Sequence, residues 1–265
     1  MHTKEEKLKA MGELLDVLDT LRLKCPWDRK QTNESLRPNT IEEVYELCDA
    51  LIANDTANIC KELGDVLLHV AFYAKIAEEK GDFDFADVCT KLTKKLIFRH
   101  PHIYGNVDAE TPEQVSQNWE KIKQKEKDGN KTVLSGVPAA LPALIKAKRV
   151  QEKAANVGFD WEKREDVWDK VKEEVAEVEA EMKSATDAPA DLEAEFGDLL
   201  FAIINAARLY GVDPENALEH TNRKFIARFN HLEKRLKENN LNFSDVSLPE
   251  MDQYWDEAKS LGINS

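Results

Sequence analysis

Two copies of one short sequence decide the fold of this chain: Glu-Leu-Gly-Asp-Val-Leu-Leu at 62–68 and Glu-Phe-Gly-Asp-Leu-Leu-Phe at 195–201. A second acidic sequence precedes each copy, Glu-Glu-Val-Tyr-Glu at 42–46 and Glu-Glu-Val-Ala-Glu at 173–177. Residues three or four positions apart share one face of a helix, so each sequence predicts a stripe of carboxylates. If the two helices of a pair are antiparallel neighbours, the stripes converge, and converging like charges require a cation.

The repetition separates this pattern from an ordinary charged surface. A single Glu-Glu-x-x-Glu is usually a solvated helix face in a chain that is 33% charged. Here the second acidic pair of each copy also begins an apolar run, Val66 to Ala74 and Leu199 to Ala207. Further matched pairs are Lys95/Arg99 with Lys224/Arg228, and Trp119/Lys123 with Trp255/Lys259. Such self-similarity predicts a duplicated module of about 130 residues.

Helical periodicity runs through nearly the whole chain, and alternating strand-like stretches are scarce, which predicts an all-α fold. The composition of residues 129–138 is typical of a linker, so we predict domains at 1–128 and 139–265. The predicted helices lie near 4–23, 40–53, 57–80, 84–98, 112–127, 140–155, 164–185, 189–210, 213–238 and 248–261.

Composition excludes several classes of function. The formal net charge of the 265 residues is −14, which argues against a surface for duplex nucleic acid. We find no stretch resembling a signal peptide or a membrane span, and therefore expect a cytoplasmic protein that does not bind membranes. The four cysteines form no C-x-x-C pair, and we expect reduced thiols, most of them in the core.

The acids and bases together suggest a polyphosphate site. Oxygen-only ligands favour Mg²⁺, with Mn²⁺ as an alternative, and a lysine–arginine pair beside such an ion would neutralise phosphates. Trp255 is placed to stack on a base, Trp27 or Phe159 to form a pocket wall, and Trp161 and Trp168 to pack in the core. A Ser/His/Asp grouping, a P-loop and a G-x-G-x-x-G motif are absent from the sequence, which leaves metal-assisted attack of water on phosphorus.

The chain strongly resembles the MazG family of nucleoside triphosphate pyrophosphohydrolases in its two-domain bacterial form. The resemblance covers nearly the whole sequence. Besides the acidic sequences, it rests on Cys-Pro-Trp-Asp at 25–28, Arg-His-Pro-His at 99–102, Asn-Val-Gly-Phe-Asp-Trp at 156–161 and Lys-Phe-x-x-Arg at 224–228. It implies helical modules packing into bundles completed by homodimerisation. The implied reaction is Mg²⁺-dependent hydrolysis of an NTP or dNTP to the monophosphate and pyrophosphate.

The resemblance also implies roles for individual residues. Metal ligands would be Glu174, Glu177, Glu195 and Asp198, with Glu43, Glu46, Glu62 and Asp65 as their first-half equivalents. Substrate would be bound by Lys170, Val171, Lys172, Glu173, Glu174, Asp198, Lys224, Arg228, Trp255 and Lys259. The catalytic set would be Glu173, Glu174, Glu177, Glu195, Asp198, Lys224 and Arg228, with Glu173 orienting or deprotonating the attacking water.

The two halves differ in one predicted cation. Lys170 lies four residues before Glu174 and so projects from the same face, whereas the corresponding first-half residue is Asn39. We therefore expect residues 139–265 to be the main catalytic module and the first half to bind metal. Whether that half turns over, regulates or stabilises stays open. Broad base use is expected, in nucleotide-pool cleansing or stress regulation. The alternatives are a non-catalytic nucleotide or metal sensor and a helical scaffold with decorative acids.

Overall fold

The computed structural model describes residues 1–111, 114–115, 118–119, 122, 132–183 and 189–264, the side chains of 189 and 190 excepted. Over these ranges the regular structure is helical, and no strand occurs in them, as an all-α fold requires. The chain divides into two compact units, Met1–Ala109 and Glu110–Ser265. This division lies before the predicted linker at 129–138, whose residues 129–131 lie outside the described part. The linker assignment stays a prediction.

The first unit, which we call the N-terminal module, is built on an antiparallel helix pair. Its helices are α1 Lys4–Lys24, α2 Asn33–Ile52, α3 Thr56–Lys80, α4 Phe85–Arg99 and the short α5 Pro101–Tyr104. Only three residues connect α2 to α3, with Asn54 at φ 52° and Asp55 capping α3 through the amide of Asn58. So short a connection makes the two helices antiparallel neighbours, and they pack along their length.

Helix α2 begins seven residues before the predicted start at residue 40. Thr32 and Ser35 form a reciprocal capping box that satisfies the first amides of the helix. Pro38 therefore lies inside the helix, where it removes one backbone hydrogen bond without ending it. The prediction placed the helix start after this proline, and the capping signal outweighs the proline.

The core of the N-terminal module joins α1, α2 and α3. Leu18 of α1, Leu36 of α2 and Phe72 of α3 are each at most 3% exposed and pack together with Ala71 and Ile76. Burying such side chains stabilises the folded state by roughly 1.5–3 kcal/mol each. This core holds the middle of α3 against α2. The acids that precede the apolar run of α3, Glu62 and Asp65, therefore face Glu43 of α2.

The second unit contains the module that we call C-terminal. Its helices are α6 Ala143–Ala155, α7 Val167–Lys183, α8 Pro189–Leu209, α9 Pro214–Glu238 and α10 Leu248–Ser260. Helices α7 and α8 form the main pair, with Val167, Val171, Ala202 and Ala206 buried between them. Asp213 caps α9, where Pro214 takes the first turn as the sequence predicts. The helix predicted at 112–127 lies largely outside the described residues.

Candidate metal and nucleotide site

The α2–α3 pair brings acidic side chains of the N-terminal module together. Carboxylate oxygens of Glu43, Glu62 and Asp65 all lie within 4.8 Å of one another. Glu62 is only 1% exposed. Burial, and after it the charge of Asp65, raises the pKa of the Glu43 carboxyl. Three carboxylates are therefore held close together, one of them buried and two half-buried.

A lysine that the sequence analysis did not select lies in this first cluster. The ammonium of Lys61 is 2.8 Å from Oε1 of Glu62, 3.9 Å from Oδ2 of Asp65 and 4.0 Å from Oε2 of Glu46. Its hydrogen bond to Glu62 raises the pKa of Lys61. Its position directly before Glu62 was the available signal, and the corresponding residue of the second copy is Ala194.

The α7–α8 pair forms the matching cluster of the C-terminal module. Carboxylate oxygens of Glu174, Glu177 and Glu195 lie within 4.8 Å of one another. Glu174 is 4% exposed, and the ammonium of Lys170 lies 2.7 Å from its Oε1. Burial, followed by the charge of Glu174, raises the pKa of Glu177. The hydrogen bond to Glu174 raises the pKa of Lys170 as well.

Each cluster contains one buried carboxylate oxygen that has no hydrogen-bond partner: Oε2 of Glu62 and Oε2 of Glu174. An unpaired buried acceptor is costly, and for a charged group the cost is larger still. The donor atoms around both are oxygens, which are the ligands of hard divalent ions. The residues present therefore fit a divalent metal, as the resemblance described above implies.

The predicted fourth acid of each set lies outside these tight groups. Glu46 is exposed and is connected to its cluster through Lys61. Asp198 is exposed one helical turn after Glu195. Glu173 is also exposed and accepts a hydrogen bond of 2.9 Å from Lys170. The structure thus brings together three of the four predicted ligands in each module.

The predicted nucleotide-contacting residues lie on α7 and on the α9–α10 pair, with Asp198 on α8. On α7, Val171 lies in the apolar core, and Lys172 pairs with Asp169 at the surface. On α9, Arg228 donates hydrogen bonds to the carbonyl of Ile263 and to Oδ1 of Asn264.

The remaining members of that set lie on α9 and α10. Lys224 is half-buried, and Lys259 pairs with Asp256 at 2.8 Å. The Trp255 ring packs on Phe225, with ring centroids 5.0 Å apart. Among the described residues, Arg228 and Lys259 form these contacts with Ile263, Asn264 and Asp256, and not with the carboxylates of α7 and α8.

Two expectations about side-chain burial are wrong. Trp161 and Trp168, predicted as core residues, are 41% and 45% exposed. Trp168 donates to the hydroxyl of Tyr210, and Trp161 lines a cavity. The cysteines are free thiols, yet Cys48, Cys60 and Cys89 are exposed rather than in the core. Periodicity alone cannot distinguish a core tryptophan from one at a cavity mouth.

Two helical units, each with converging carboxylates on an antiparallel helix pair, define a duplicated all-α protein with acidic sites suited to a divalent ion. The chain belongs to the MazG family: residues 31–104 and 163–233 both match the MazG nucleotide pyrophosphohydrolase domain. Each match contains one of the two carboxylate clusters. Within the described residues, no helix is long and apolar enough to cross a membrane.

Similar proteins span the full arrangement. The chain is 44% identical over 250 residues to a protein of Thermotoga maritima named nucleoside triphosphate pyrophosphohydrolase/pyrophosphatase MazG, covering 93% of this chain and 94% of that protein. It is 40% identical over 262 residues to the nucleoside triphosphate pyrophosphohydrolase of Escherichia coli K12, covering 97% and 100%. An uncharacterized protein of Bacillus subtilis, YabN, is 47% identical over 89% of this chain and 48% of its own length.

Proposed function

We propose that this chain hydrolyses nucleoside triphosphates to the monophosphate and pyrophosphate, and that the C-terminal module is the main site of the reaction. The single observation that supports this site best is the geometry around Glu174. This carboxylate is 4% exposed, keeps one unpartnered oxygen, and lies with Glu177 and Glu195 inside 4.8 Å. The names of the relatives in Thermotoga maritima and Escherichia coli support the reaction.

Glu174, Glu177 and Glu195 would hold Mg²⁺, with Mn²⁺ as a substitute, and Asp198 one turn along α8 would complete the set. When bound, such an ion supplies a Lewis acid and an acidified water. In the N-terminal module, Glu43, Glu62 and Asp65, with Glu46 beside them, form the equivalent set. There Lys61 lies within 4.0 Å of three of the four predicted ligands, whereas Lys170 pairs with one of the four in the C-terminal module, which supports a mainly structural or regulatory role for the first half.

The other residues of the C-terminal module would act on the substrate itself. Lys170 lies at the edge of the acids and would donate hydrogen bonds to a phosphate. Glu173, which touches Lys170, would orient the water or accept its proton. Lys224 and Arg228 would neutralise charge on the phosphates that leave as pyrophosphate, which carry that charge in the bound substrate as well. Trp255 and Lys259 stay in the proposed substrate set.

We also propose that the protein is a homodimer. One face of α8 presents Phe196, Leu200 and Ile203, which are 46%, 57% and 45% exposed. Their spacing of four and three residues makes one continuous apolar stripe. The N-terminal module repeats this pattern with Leu63 and Val70, at 53% and 42% exposure. An uncovered helix stripe of this kind is completed when a second copy packs on it, which would form a bundle.

Broad use of bases is proposed because the charged groups recognise the triphosphate and the ion, which all NTPs and dNTPs share. The biological role would then be cleansing of nucleotide pools or control under stress, in the cytoplasm where these substrates are found. Duplex nucleic acid is not a proposed partner, given the net charge of −14.

A product assay tests the function. Purified protein with Mg²⁺ and a panel of NTPs and dNTPs would be scored for pyrophosphate against orthophosphate. We expect pyrophosphate, with turnover lowered about a hundredfold or more by Glu195→Gln and little changed by Glu62→Gln. The reverse ranking of the two variants would move the main site to the N-terminal module.

Two other outcomes would contradict hydrolysis. Metal-dependent binding of NTP that is released intact would make the protein a sensor. If Mg²⁺ leaves the melting temperature unchanged and no nucleotide binds, the acids are only surface groups, because a real site gains stability with ligand concentration.

A further inference from the structure

A cavity in the C-terminal module lies between α6 and α8, and we call it the α6–α8 cavity. Its lining includes Val150 and Ala154 of α6, Phe201 and Asn205 of α8, and Phe159 and Trp161 of the segment between α6 and α7. Its volume of about 470 Å³ is in the range of small-molecule pockets. The clustered acids of α7 and α8 are not among the described residues that line it, so it is a different place from the candidate metal site.

The N-terminal module fills the corresponding place with a large side chain from α1. The dipeptides Trp27-Asp28 and Phe159-Asp160 are equivalent in the two copies, so Arg22, five residues before the first of them, corresponds to Ala154. The side chain of Arg22 is 9% exposed and reaches from α1 to Glu79 of α3. At the equivalent position the C-terminal module has only a methyl group.

A second replacement opens the same space from the other helix. Glu62 and Glu195 are equivalent, so Phe72, ten residues after the first of them, corresponds to Asn205. Phe72 is buried, and the guanidinium carbon of Arg22 lies 5.4 Å from the centre of its ring. The first module therefore fills with a ring and a guanidinium the place that the second module leaves open. Cavities cost stability, and an apolar one takes up small ring compounds.

The lining of the α6–α8 cavity selects for an uncharged ligand. Two of the described lining residues, Asp160 and Arg208, are charged, and they neutralise each other. Nη1 of Arg208 donates a hydrogen bond of 3.0 Å to Oδ2 of Asp160. A charged ligand in the cavity would lose its hydration without gaining a free counter-charge, which is unfavourable. A triphosphate therefore does not suit this cavity.

Gln151 supplies a buried polar group that lacks a partner. This lining residue is 6% exposed, and its Nε2 donates a hydrogen bond of 2.8 Å to the carbonyl of Phe201. A carbonyl can only accept, so the amide nitrogen must face it and the orientation of the amide is fixed. Its Oε1 is then a buried acceptor, and no described residue donates to it. A ligand with an N–H group would satisfy this oxygen.

Aromatic side chains of the lining are open to solvent. Phe159 is 82% exposed, Phe201 43% and Trp161 41%. A bound ring would remove part of this apolar surface from water, and offset or edge-to-face contacts between rings favour an aromatic partner. Apolar walls with a single oriented polar group are also the usual composition of a small-molecule site.

We propose that the α6–α8 cavity is a second ligand site, separate from the acids, for an uncharged planar aromatic compound that carries an N–H group. The ring would occupy the space that Arg22 and Phe72 fill in the N-terminal module, and its N–H group would donate to Oε1 of Gln151. Such a ligand would stabilise the packing of α6 on α8. This inference does not depend on the proposed function.

Indole and indene test the role of Gln151, because they are fused rings of nearly equal size and only indole has an N–H group. Titration of the whole protein, followed by NMR signals of the ligand, should give a Kd for indole on the order of 0.1 mM, an ordinary affinity for so small a compound. Indene leaves Oε1 unpaired and should bind about tenfold more weakly. In Gln151→Met, which removes the amide, the two compounds should bind equally well.

Filling the cavity tests its position. Asn205→Phe introduces the residue that the N-terminal module has at this place, and Ala154→Leu fills the cavity from α6, so one variant stays informative if the other does not fold. Each should weaken indole binding about tenfold or more, while its melting temperature without ligand stays at or above that of wild type. The control Asn216→Phe adds the same ring at an exposed asparagine of α9 and should bind indole like wild type.

Three results would overturn the second site: no indole binding by the wild type, unchanged binding in the filled variants, or equal affinity of the wild type for indole and indene. Displacement of indole by α,β-methylene-ATP with Mg²⁺ would also overturn it, because the cavity would then belong to the nucleotide site. The proposed reaction is tested independently. Indole binding as expected, without pyrophosphate release from any NTP, would keep the second site while hydrolysis fails.

Discussion

The ammonium of Lys170 lies 2.7 Å from Oε1 of Glu174, a carboxylate whose side chain is 6% exposed. The lysine side chain is itself 39% exposed. The pair therefore has one end in the protein and one end at the surface. Lys170 compensates the buried charge and is placed to move to a phosphate when another cation takes over Glu174. Stability and substrate binding are then connected through one side chain.

The first prediction concerns Lys170→Met, which keeps the length of the side chain and removes its charge. Without divalent ions the variant leaves Glu174 buried and unpaired, so its melting temperature should fall. Mg²⁺ should restore a larger part of that loss than it adds to wild type. Its KM for ATP should rise. Calorimetric melting with and without Mg²⁺, together with steady-state kinetics, checks both effects.

Lys172→Met is the control for Lys170→Met, because Lys172 lies on the same helix but pairs with Asp169 at the surface. It should melt and turn over like wild type, since an exposed ion pair contributes little. If Lys170→Met also behaves like wild type in the absence of metal, the pairing with Glu174 has no energetic role.

The second prediction concerns Lys61, which lies within 4.0 Å of Glu46, Glu62 and Asp65. A divalent ion at these acids must displace or tolerate that ammonium. In a Glu195→Gln background, Lys61→Ala should raise Mn²⁺ affinity at the N-terminal cluster about tenfold. Titration followed by electron paramagnetic resonance measures it. The control, Lys80→Ala at an exposed lysine of α3, should leave the Mn²⁺ affinity unchanged. Weaker Mn²⁺ binding in Lys61→Ala would contradict the prediction and show that Lys61 supports the site.

The third prediction separates binding from chemistry on α9. Lys224→Ala should mainly raise KM, because its proposed partner is a phosphate oxygen present in ground state and transition state alike. Asp198→Asn should instead lower kcat about a hundredfold or more, as expected for a residue that holds the catalytic ion. Initial rates over a range of ATP and Mg²⁺ concentrations distinguish the two. A purely kcat effect in Lys224→Ala would make it a transition-state residue.

The sequence predicted the helix pairs and the convergence of their acids, because both follow from helical periodicity. A spacing of four residues predicted that Lys170 and Glu174 share a face, and they are in contact. Which acid is buried could not be predicted. The buried residue is Glu62, from the second helix of the first pair, but Glu174, from the first helix of the second pair. That choice depends on how each helix is rotated about its axis.

Long-range contacts account for the rest of what sequence could not predict. Gln151 and Phe201 are fifty residues apart, and only the packing of α6 on α8 puts the amide against that carbonyl. In the same way, Trp161 is a large apolar residue of the kind expected in a core, but it lines a cavity and is partly exposed. Helical periodicity describes one helix at a time and contains no information on such a junction.

The fourth prediction concerns acid stability of the N-terminal module. The side chain of Arg22 on α1 is 9% exposed. Its Nε donates a hydrogen bond of 2.8 Å to Oε1 of Glu79, and its Nη2 forms an ion pair with Oε2 of the same carboxylate. It further donates to the carbonyls of Asp28 and Gln31, so it joins α1, the turn after it and α3. This hydrogen bonding lowers the pKa of Glu79 below its ordinary value of 4.5.

Because the pKa of folded Glu79 is lowered, the stability it contributes is fully present above pH 4.5 and is lost as the pH falls through the folded value. Glu79→Gln should therefore be less stable than wild type at pH 7 by about 1 kcal/mol, a modest figure because solvent screens a carboxylate that is partly exposed. The difference between the two proteins should shrink as the pH falls below 4.5. Urea unfolding at several pH values measures it, with the exposed Glu5→Gln as control. A difference that stays constant with pH would mean that the neutral amide loses packing rather than charge.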